Sequence, residues 1–156
     1  IWRELVRTML RIGDTAPCFT AITHKGEELE LASLLGSKTI VLYFYPRDFT
    51  LGCVREACGF RDSNDLIEKE DAIVVGVSPD SVESHKRFAK ALEIPYILVS
   101  DPDGFISGLY DVKRWLLPTK RVTYLIDKSG IIQGVFHHEF AIGKHHNHVI
   151  RALQLK

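Results

Sequence analysis

Two cysteines, Cys53 and Cys58, lie five positions apart near the predicted start of a helix. The apolar, β-branched and aromatic run over residues 39–45 predicts a buried strand just before them. From Gly52 onward apolar residues recur with helical spacing, so Cys53 falls in the first turn of a helix that follows a strand. Unpaired backbone N–H groups at a helix start favour a thiolate, which is the nucleophilic form of cysteine.

Two residues that precede Cys53 suit such a nucleophile. Thr50 offers a hydroxyl that can donate to the sulfur or to a bound oxygen. Pro46 has a bulky ring and no N–H, and it can shield the sulfur from bulk water. The alternative is a pair of ordinary core thiols, because free cysteine is among the most buried residue types. The proline, the threonine and the glycine around Cys53 argue against that alternative.

The spacing of the two cysteines bears on disulfide formation. On a regular helix, residues i and i+5 have Cα atoms roughly 8 to 9 Å apart, whereas a disulfide needs less than about 7 Å. An intact helix therefore keeps Cys53 and Cys58 apart, and a bond between them requires the first turns to unwind. Gly52 and Gly59 each lower the cost of unwinding by roughly 1 kcal/mol relative to alanine.

The pattern Pro46-x-x-x-Thr50-x-x-Cys53 resembles the active-site motif of peroxiredoxins. The position of Cys58 is similar to that in the bacterioferritin comigratory protein type, also called peroxiredoxin Q. Weaker likenesses follow in the family's order at residues 13–17, 77–86 and 121–127. The resemblance implies a thioredoxin-like fold of the α/β class, with a central mixed β-sheet flanked by helices.

The resemblance also implies a role for each matching residue. Cys53 would be the peroxidatic cysteine and Cys58 the resolving cysteine. Thr50 would be a peroxide-binding hydroxyl, Pro46 the shield and Arg121 the cation beside the thiolate. From the residues alone, Arg121 would be interpreted as an exposed strand charge that contributes little to stability.

Three further positions leave questions open. Glu56 either orients Arg121 or is simply a charge on the helix surface. Val54 stands where the family often has threonine or serine, and Asp111 stands where glycine is common. Neither departure removes a reacting group, so both bear on substrate preference and rate.

The implied activity is that of a thiol-dependent peroxidase acting on hydrogen peroxide and alkyl hydroperoxides. The Cys53 thiolate would become a sulfenic acid, which Cys58 would convert to an intrachain disulfide. A thioredoxin-like or other dithiol donor would then reduce that disulfide by exchange. The alternative is a thiol-based redox sensor, which is oxidised once without turnover. A thioredoxin-like disulfide reductase is disfavoured, because that chemistry normally uses a Cys-x-x-Cys pair.

Composition excludes several other classes of protein. Twenty basic and twenty acidic residues cancel, which argues against nucleic acid or an anionic membrane surface as a partner. No apolar run approaches the length of a membrane span. Three cysteines, an odd number, disfavour a structural disulfide framework and suit a reducing cytoplasm. We expect a monomer that needs no cofactor.

The length of 156 residues predicts one domain. We assign residues 1–9 to an N-terminal extension and residues 10–156 to the thioredoxin-like peroxiredoxin domain. Met9 is the only methionine, and the family-like sequence begins just after it. Translation that starts at Met9 would account for both observations.

Five histidines fall between His137 and His148. Such a cluster invites a metal-site interpretation. Glu139 is the only carboxylate at a typical ligand spacing, so we predict solvated histidines and no metal.

Further expectations concern single positions outside the motif. Cys18 is expected to be a half-buried structural cysteine, and His24 and His85 are expected at the surface. Asp80 is predicted to cap the next helix, with Glu83 three residues later completing a capping-box pattern.

Overall fold

The computed structural model describes residues 10–114, 119–137 and 145–154. The predicted N-terminal extension 1–9 lies outside these ranges. Seven strands and six helices occur within them. The strands are β1 (Thr20–Thr23), β2 (Glu28–Glu30), β3 (Thr39–Phe44), β4 (Ala72–Ser78), β5 (Ile97–Ser100), β6 (Val122–Ile126) and β7 (Ile132–His137). The helices are α1 (Leu31–Leu34), α2 (Leu51–Asp62), α3 (Asn64–Lys69), α4 (Val82–Leu92), α5 (Phe105–Leu109) and α6 (His145–Gln154).

The strands form one mixed sheet with the order β2-β1-β5-β4-β3-β6-β7. The central strands β3, β4 and β5 are parallel, whereas β6 runs antiparallel to β3. Strand β3 is buried at every position, as expected of a central strand whose sheet is covered on both faces. The predicted α/β class with a helix-flanked mixed sheet is confirmed.

The sheet separates two hydrophobic cores because successive side chains of a strand point to opposite faces. On one face, Tyr43 and Tyr45 pack with apolar residues of α2, α4 and α6. On the other face, Phe44 packs with residues of α1 and α5. Cys53 belongs to the first of these cores. The thiol is therefore placed by packing as well as by its helix.

The predicted start of the helix that carries Cys53 agrees closely with the structure. Helix α2 begins at Leu51 with Thr50 as its N-cap residue, so Cys53 lies in the first turn as predicted. Helix α6 buries Val149 and Leu153 against the sheet face that also holds Cys53. No helix in the described part of the chain combines the length and the apolar character needed to cross a bilayer.

The predicted cap of α4 is wrong. Ser81, not Asp80, is the N-cap residue, and its hydroxyl accepts a hydrogen bond of 3.1 Å from the backbone N–H of Ser84. The Asp80 carboxylate instead accepts hydrogen bonds from the Asp48 N–H at 2.8 Å and the Ser78 hydroxyl at 2.6 Å. The Asp80 carboxylate binds the distant loop that contains Asp48, so it does not act as the cap that the local pattern predicts.

Two predicted environments are also wrong. Cys18 is exposed, not half-buried. His85 is 0% exposed instead of lying at the surface, because polar partners inside the fold engage both of its ring nitrogens. His24 is half-buried, and its ring accepts a hydrogen bond of 3.2 Å from the backbone N–H of Leu98.

Two other groups of predicted positions can be placed in part. Of the histidine cluster, His137 and His148 are exposed, while His138 lies outside the described residues. Asp111 has a φ of 55°, in the left-handed region that favours glycine. Aspartate is one of the few other residues that tolerate this region. The aspartate at this position therefore preserves the backbone shape that a glycine would adopt.

Candidate active site

Cys53 lies in the first turn of α2 and is 1% exposed. The carbonyl of Thr50 accepts a 2.8 Å hydrogen bond from the N–H of Val54, which closes that turn. Cys58 lies further along the same continuous helix and is half-buried. Both cysteines are free thiols. The pair therefore sits on an intact helix in the reduced chain, as the spacing predicts.

The loop between β3 and α2 lies beside the sulfur. The Thr50 hydroxyl donates a 2.9 Å hydrogen bond to the carbonyl of Arg47, and the half-buried Pro46 is in the same loop. The Thr50 side chain and the Arg47 backbone both reach the Cys53 sulfur. Because a hydroxyl has a single proton, Thr50 must release Arg47 when it donates to a thiolate or to a bound oxygen.

Arg121 reaches the same sulfur from the sheet. It immediately precedes β6, whose first residue, Val122, pairs with Phe44 at the end of β3. This register places Arg121 next to the loop that leads into α2. Its side chain is 14% exposed, and it interacts with Cys53 both as a charge and as a hydrogen-bond donor. The interpretation of Arg121 as an exposed strand charge is therefore wrong.

Glu56 lies three residues after Cys53 and is fully enclosed. Its carboxylate is 3.5 Å from a guanidinium nitrogen of Arg121, an ion-pair distance without a hydrogen bond between these atoms. Burial raises the pKa of Glu56 to about 7, although Arg121 lowers it. The interpretation of Glu56 as a helix-surface charge is therefore wrong, and the carboxylate faces Arg121.

The ionisation of Cys53 is a balance of opposing effects. Burial raises the pKa of the Cys53 thiol above its ordinary value, while hydrogen bonds from Thr50 and the Arg47 backbone and the charge of Arg121 lower it. An argument from the helix start alone predicts a stabilised thiolate, but it omits the cost of desolvating a buried sulfur. The thiolate in the folded chain therefore depends on the polar groups around it, first on Thr50 and the Arg47 backbone and then on the charge of Arg121.

The sequence does not single out Asp48 or His85 as functional, although Asp48 lies inside the Pro46-to-Thr50 motif. The structure places the two side chains in contact at 2.7 Å. A signal was available in the sequence, namely an aspartate within the motif loop and adjacent polar residues, Ser84 and His85, in an otherwise amphipathic helix. The separation of 37 positions hides the contact from local patterns.

Known proteins are similar to this chain in sequence and in fold. Residues 12–135 match the family model described as the AhpC/TSA family. The chain belongs to the AhpC/TSA family. Among its peroxiredoxin relatives is the chloroplastic peroxiredoxin Q of Sedum lineare, which is 41% identical over 144 residues, covering 91% of this chain and 77% of that protein.

Solved structures of peroxiredoxins agree with this membership. Peroxidoxin BcpB from Mycobacterium tuberculosis has a TM-score of 0.89 and 34% identity, covering 94% of this chain and 97% of that one. The bacterioferritin comigratory protein of Xanthomonas campestris, whose structures address its alkyl peroxide reduction activity, has a TM-score of 0.84 and 27% identity, covering 91% and 98%. The predicted thioredoxin-like fold and the peroxiredoxin Q resemblance are confirmed, and the chain is a thiol-dependent peroxidase.

The buried carboxyl of Glu56 predicts a pH-dependent stability for this peroxiredoxin. Its pKa rises from an ordinary 4.5 to about 7 on folding, so the folded state binds more protons than the unfolded state between these values. The free energy of unfolding therefore falls as pH rises through this window. Below the window, Glu56 contributes no pH dependence to the free energy of unfolding. A shift of this size corresponds to about 3 kcal/mol.

We expect Glu56→Gln to remove this slope. In urea unfolding, the variant should match the wild type near about pH 4.5 and exceed it by about 3 kcal/mol near about pH 8. Glu83→Gln, at an exposed position on α4, is the matched control and should keep the wild-type slope. Parallel pH profiles for the wild type and Glu56→Gln would contradict the buried, titrating carboxyl.

Proposed function

We propose that this peroxiredoxin reduces hydrogen peroxide and alkyl hydroperoxides through a peroxidatic Cys53 and resolves the product with Cys58 as an intrachain disulfide. The observation that carries the proposal is the meeting of three groups at the head of α2: a buried thiol, the hydroxyl of Thr50 and the guanidinium of Arg121. Cys58 lies on the same helix. The alkyl peroxide activity named for the Xanthomonas relative supports the substrate class.

The first step is a displacement at a peroxide oxygen. The Cys53 thiolate attacks one oxygen, the S–O bond forms, and the O–O bond breaks. The departing oxygen takes a proton and leaves as water or an alcohol, so that Cys53 becomes a sulfenic acid. Arg121 and Thr50 hold the peroxide and stabilise the charge that develops on the departing oxygen. Pro46 shields the reacting sulfur from bulk water.

The second step joins the two cysteines. The Cys58 thiol attacks the sulfur of the Cys53 sulfenic acid, the S–S bond forms, and water leaves. The helix must open at its head first, since Cα atoms five residues apart on a helix are too distant for a disulfide. Gly52 and Gly59 favour this opening. The Thr50 side chain makes no capping hydrogen bond to α2, so it does not hold the first turn closed.

The third step returns the enzyme to its reduced form. A thioredoxin-like or other dithiol donor attacks the disulfide, and after exchange the donor is oxidised and both cysteines are thiols again. The cycle uses two thiols of one chain, so a monomer without a cofactor suffices. A reducing compartment such as the cytoplasm would keep this donor available.

Mass spectrometry of the reduced protein after one equivalent of hydrogen peroxide tests the proposal. Peptides mapped without reduction should contain a Cys53–Cys58 disulfide, and this disulfide should be absent after Cys53→Ser. Cys18→Ser is the matched control and should form the disulfide normally. Unmodified thiols, or oxidation confined to Cys18, would overturn the assignment. Repeated peroxide consumption with a thioredoxin system distinguishes the peroxidase from a sensor that is oxidised once.

A further inference from the structure

A buried polar cluster joins the loop that precedes α2 to helix α4. Asp48 in the loop is 5% exposed and His85 in α4 is 0% exposed. One carboxylate oxygen of Asp48 contacts the Nδ1 of His85 at 2.7 Å and accepts the Ser84 hydroxyl at 2.9 Å. The other oxygen accepts the Tyr45 hydroxyl at 2.7 Å. This carboxylate is therefore held from both the loop side and the α4 side.

The second ring nitrogen of His85 is also engaged. Its Nε2 lies 3.0 Å from the carbonyl oxygen of Val99 in β5. The hydroxyls of Tyr45 and Ser78 lie 3.4 Å from the ring, but each donates its proton to a carboxylate. Both ring nitrogens therefore contact acceptor oxygens, those of the Asp48 carboxylate and the Val99 carbonyl.

The same cluster contains three potential metal ligands. Atoms of Asp48, Asp80 and His85 lie within 4.8 Å of one another. Each carboxylate oxygen that faces this group already accepts hydrogen bonds, from Ser84 and His85 in one case and from Ser78 and the Asp48 N–H in the other. Both ring nitrogens of His85 are likewise engaged, by Asp48 and by Val99. The hydrogen-bonded arrangement accounts for the cluster without an ion.

Asp48 lies between a residue that contacts the Cys53 sulfur and a residue that packs against α4. The residue before it, Arg47, contacts the Cys53 sulfur through its backbone and accepts the Thr50 hydroxyl. The residue after it, Phe49, has a φ of 62° and packs its ring against Phe88 of α4, with ring centroids 5.1 Å apart. Polar and aromatic contacts therefore fix this loop to α4, an element outside the helix that carries the two cysteines.

We propose that Asp48 and His85 are positioning residues for the reaction with peroxide. Their contact holds the loop from Pro46 to Thr50 against α4, and so keeps the Thr50 hydroxyl and the Arg47 backbone aligned with the sulfur. Because α4 does not carry the cysteines, this clamp survives when the head of α2 opens and restores the same peroxide-binding geometry when it closes. The inference rests on the proposed role of Cys53.

Two amide substitutions at His85 separate its two contacts. The side-chain nitrogen of asparagine can occupy the place of Nδ1, and that of glutamine the place of Nε2. His85→Asn therefore keeps the contact with Asp48 and loses the contact with Val99, whereas His85→Gln does the reverse. We expect His85→Gln to slow Cys53 oxidation by hydrogen peroxide about tenfold or more, and His85→Asn to stay within about threefold of the wild type. Quenched-flow alkylation followed by mass spectrometry gives both rates.

Other measurements distinguish positioning from a purely structural role. Reduction of the preformed Cys53–Cys58 disulfide by dithiothreitol should proceed at wild-type rates in both variants, because that step does not use the peroxide-binding loop. Thermal unfolding reports any loss of stability. Equal losses of peroxide rate in the two variants, or a loss in neither, would overturn the proposal.

Ser84→Ala is a milder variant in case the His85 variants fail to fold. It removes one donor to Asp48 from a partly exposed side chain, and we expect Cys53 oxidation to slow about threefold. An unchanged rate would count against the clamp. A wild-type chain that consumes no peroxide would remove the proposed function itself, whereas an active wild type with unaffected variants would remove only the clamp.

Discussion

Replacement of Cys58 by serine is expected to stop peroxide turnover after a single cycle. Cys53 would still react, because the groups that reach its sulfur, Thr50, the Arg47 backbone and Arg121, are unchanged. Its sulfenic acid would then have no thiol on α2 with which to condense. With a thioredoxin-type donor, we expect a burst of one peroxide per chain followed by a steady-state rate lower by about 100-fold or more.

Two matched variants make this result specific. Cys18→Ser removes an exposed thiol and should keep full turnover, whereas Cys53→Ser should show neither burst nor turnover. Peroxide consumption is followed continuously, and a sulfenic acid reagent such as dimedone traps the stalled Cys58→Ser protein for mass spectrometry. Wild-type turnover by Cys58→Ser would mean that the donor reduces the sulfenic acid directly and that Cys58 is not the resolving cysteine.

The head of α2 is predictable from the sequence because its determinants are local. A buried strand, a glycine and a change to helical periodicity all fall within about 25 positions, and they place Cys53 in the first helical turn. The motif that includes Pro46 and Thr50 is also contiguous. Mutual placement of these groups therefore needs little knowledge of the rest of the fold.

Arg121 and His85 show where local reasoning ends. Arg121 reaches the sulfur because β6 pairs with β3 in a particular register, and only the family resemblance connects it to Cys53 in the sequence. His85 is buried because Asp48, 37 positions away, meets its ring. Without that contact, a histidine between the polar residues Ser84 and Lys86 would be predicted to lie at the surface. Long-range pairing and desolvation determine the environments of both residues, and neither effect produces a periodic pattern in the sequence.

The pKa of Cys53 also depends on long-range packing, which local sequence patterns do not show. A helix start favours the thiolate wherever it occurs, but the cost of burial depends on what packs against the sulfur. Tyr45, Ala57 and Phe60 belong to the core that encloses Cys53. Burial is the largest effect on its pKa and acts against the thiolate. The thiolate consequently requires specific polar neighbours. Arg121 is one of them, because it lowers the pKa of Cys53.

Replacement of Arg121 by methionine is expected to slow Cys53 oxidation by about 100-fold or more, because it removes a cation from the departing peroxide oxygen. The change also leaves Glu56 buried without the charge that lowers its pKa, so that carboxyl should become neutral over a wider pH range. Arg121→Met combined with Glu56→Gln is the matched control for stability. Quenched-flow alkylation measures the rate, and a value within about threefold of the wild type would remove Arg121 from the mechanism.

The two contributions of Arg121 can be separated by comparing peroxide with iodoacetamide, which also consumes the thiolate but releases no oxygen anion. Arg121 lowers the pKa of Cys53, so Arg121→Met should shift the pH profile of alkylation to higher pH. Above that shifted pKa the variant is fully ionised, and its alkylation rate should match that of the wild type. A deficit toward peroxide that persists there measures transition-state stabilisation alone. If both rates recover together, Arg121 acts only by ionising the thiol, and Thr50 with the loop backbone must supply the stabilisation of the departing oxygen.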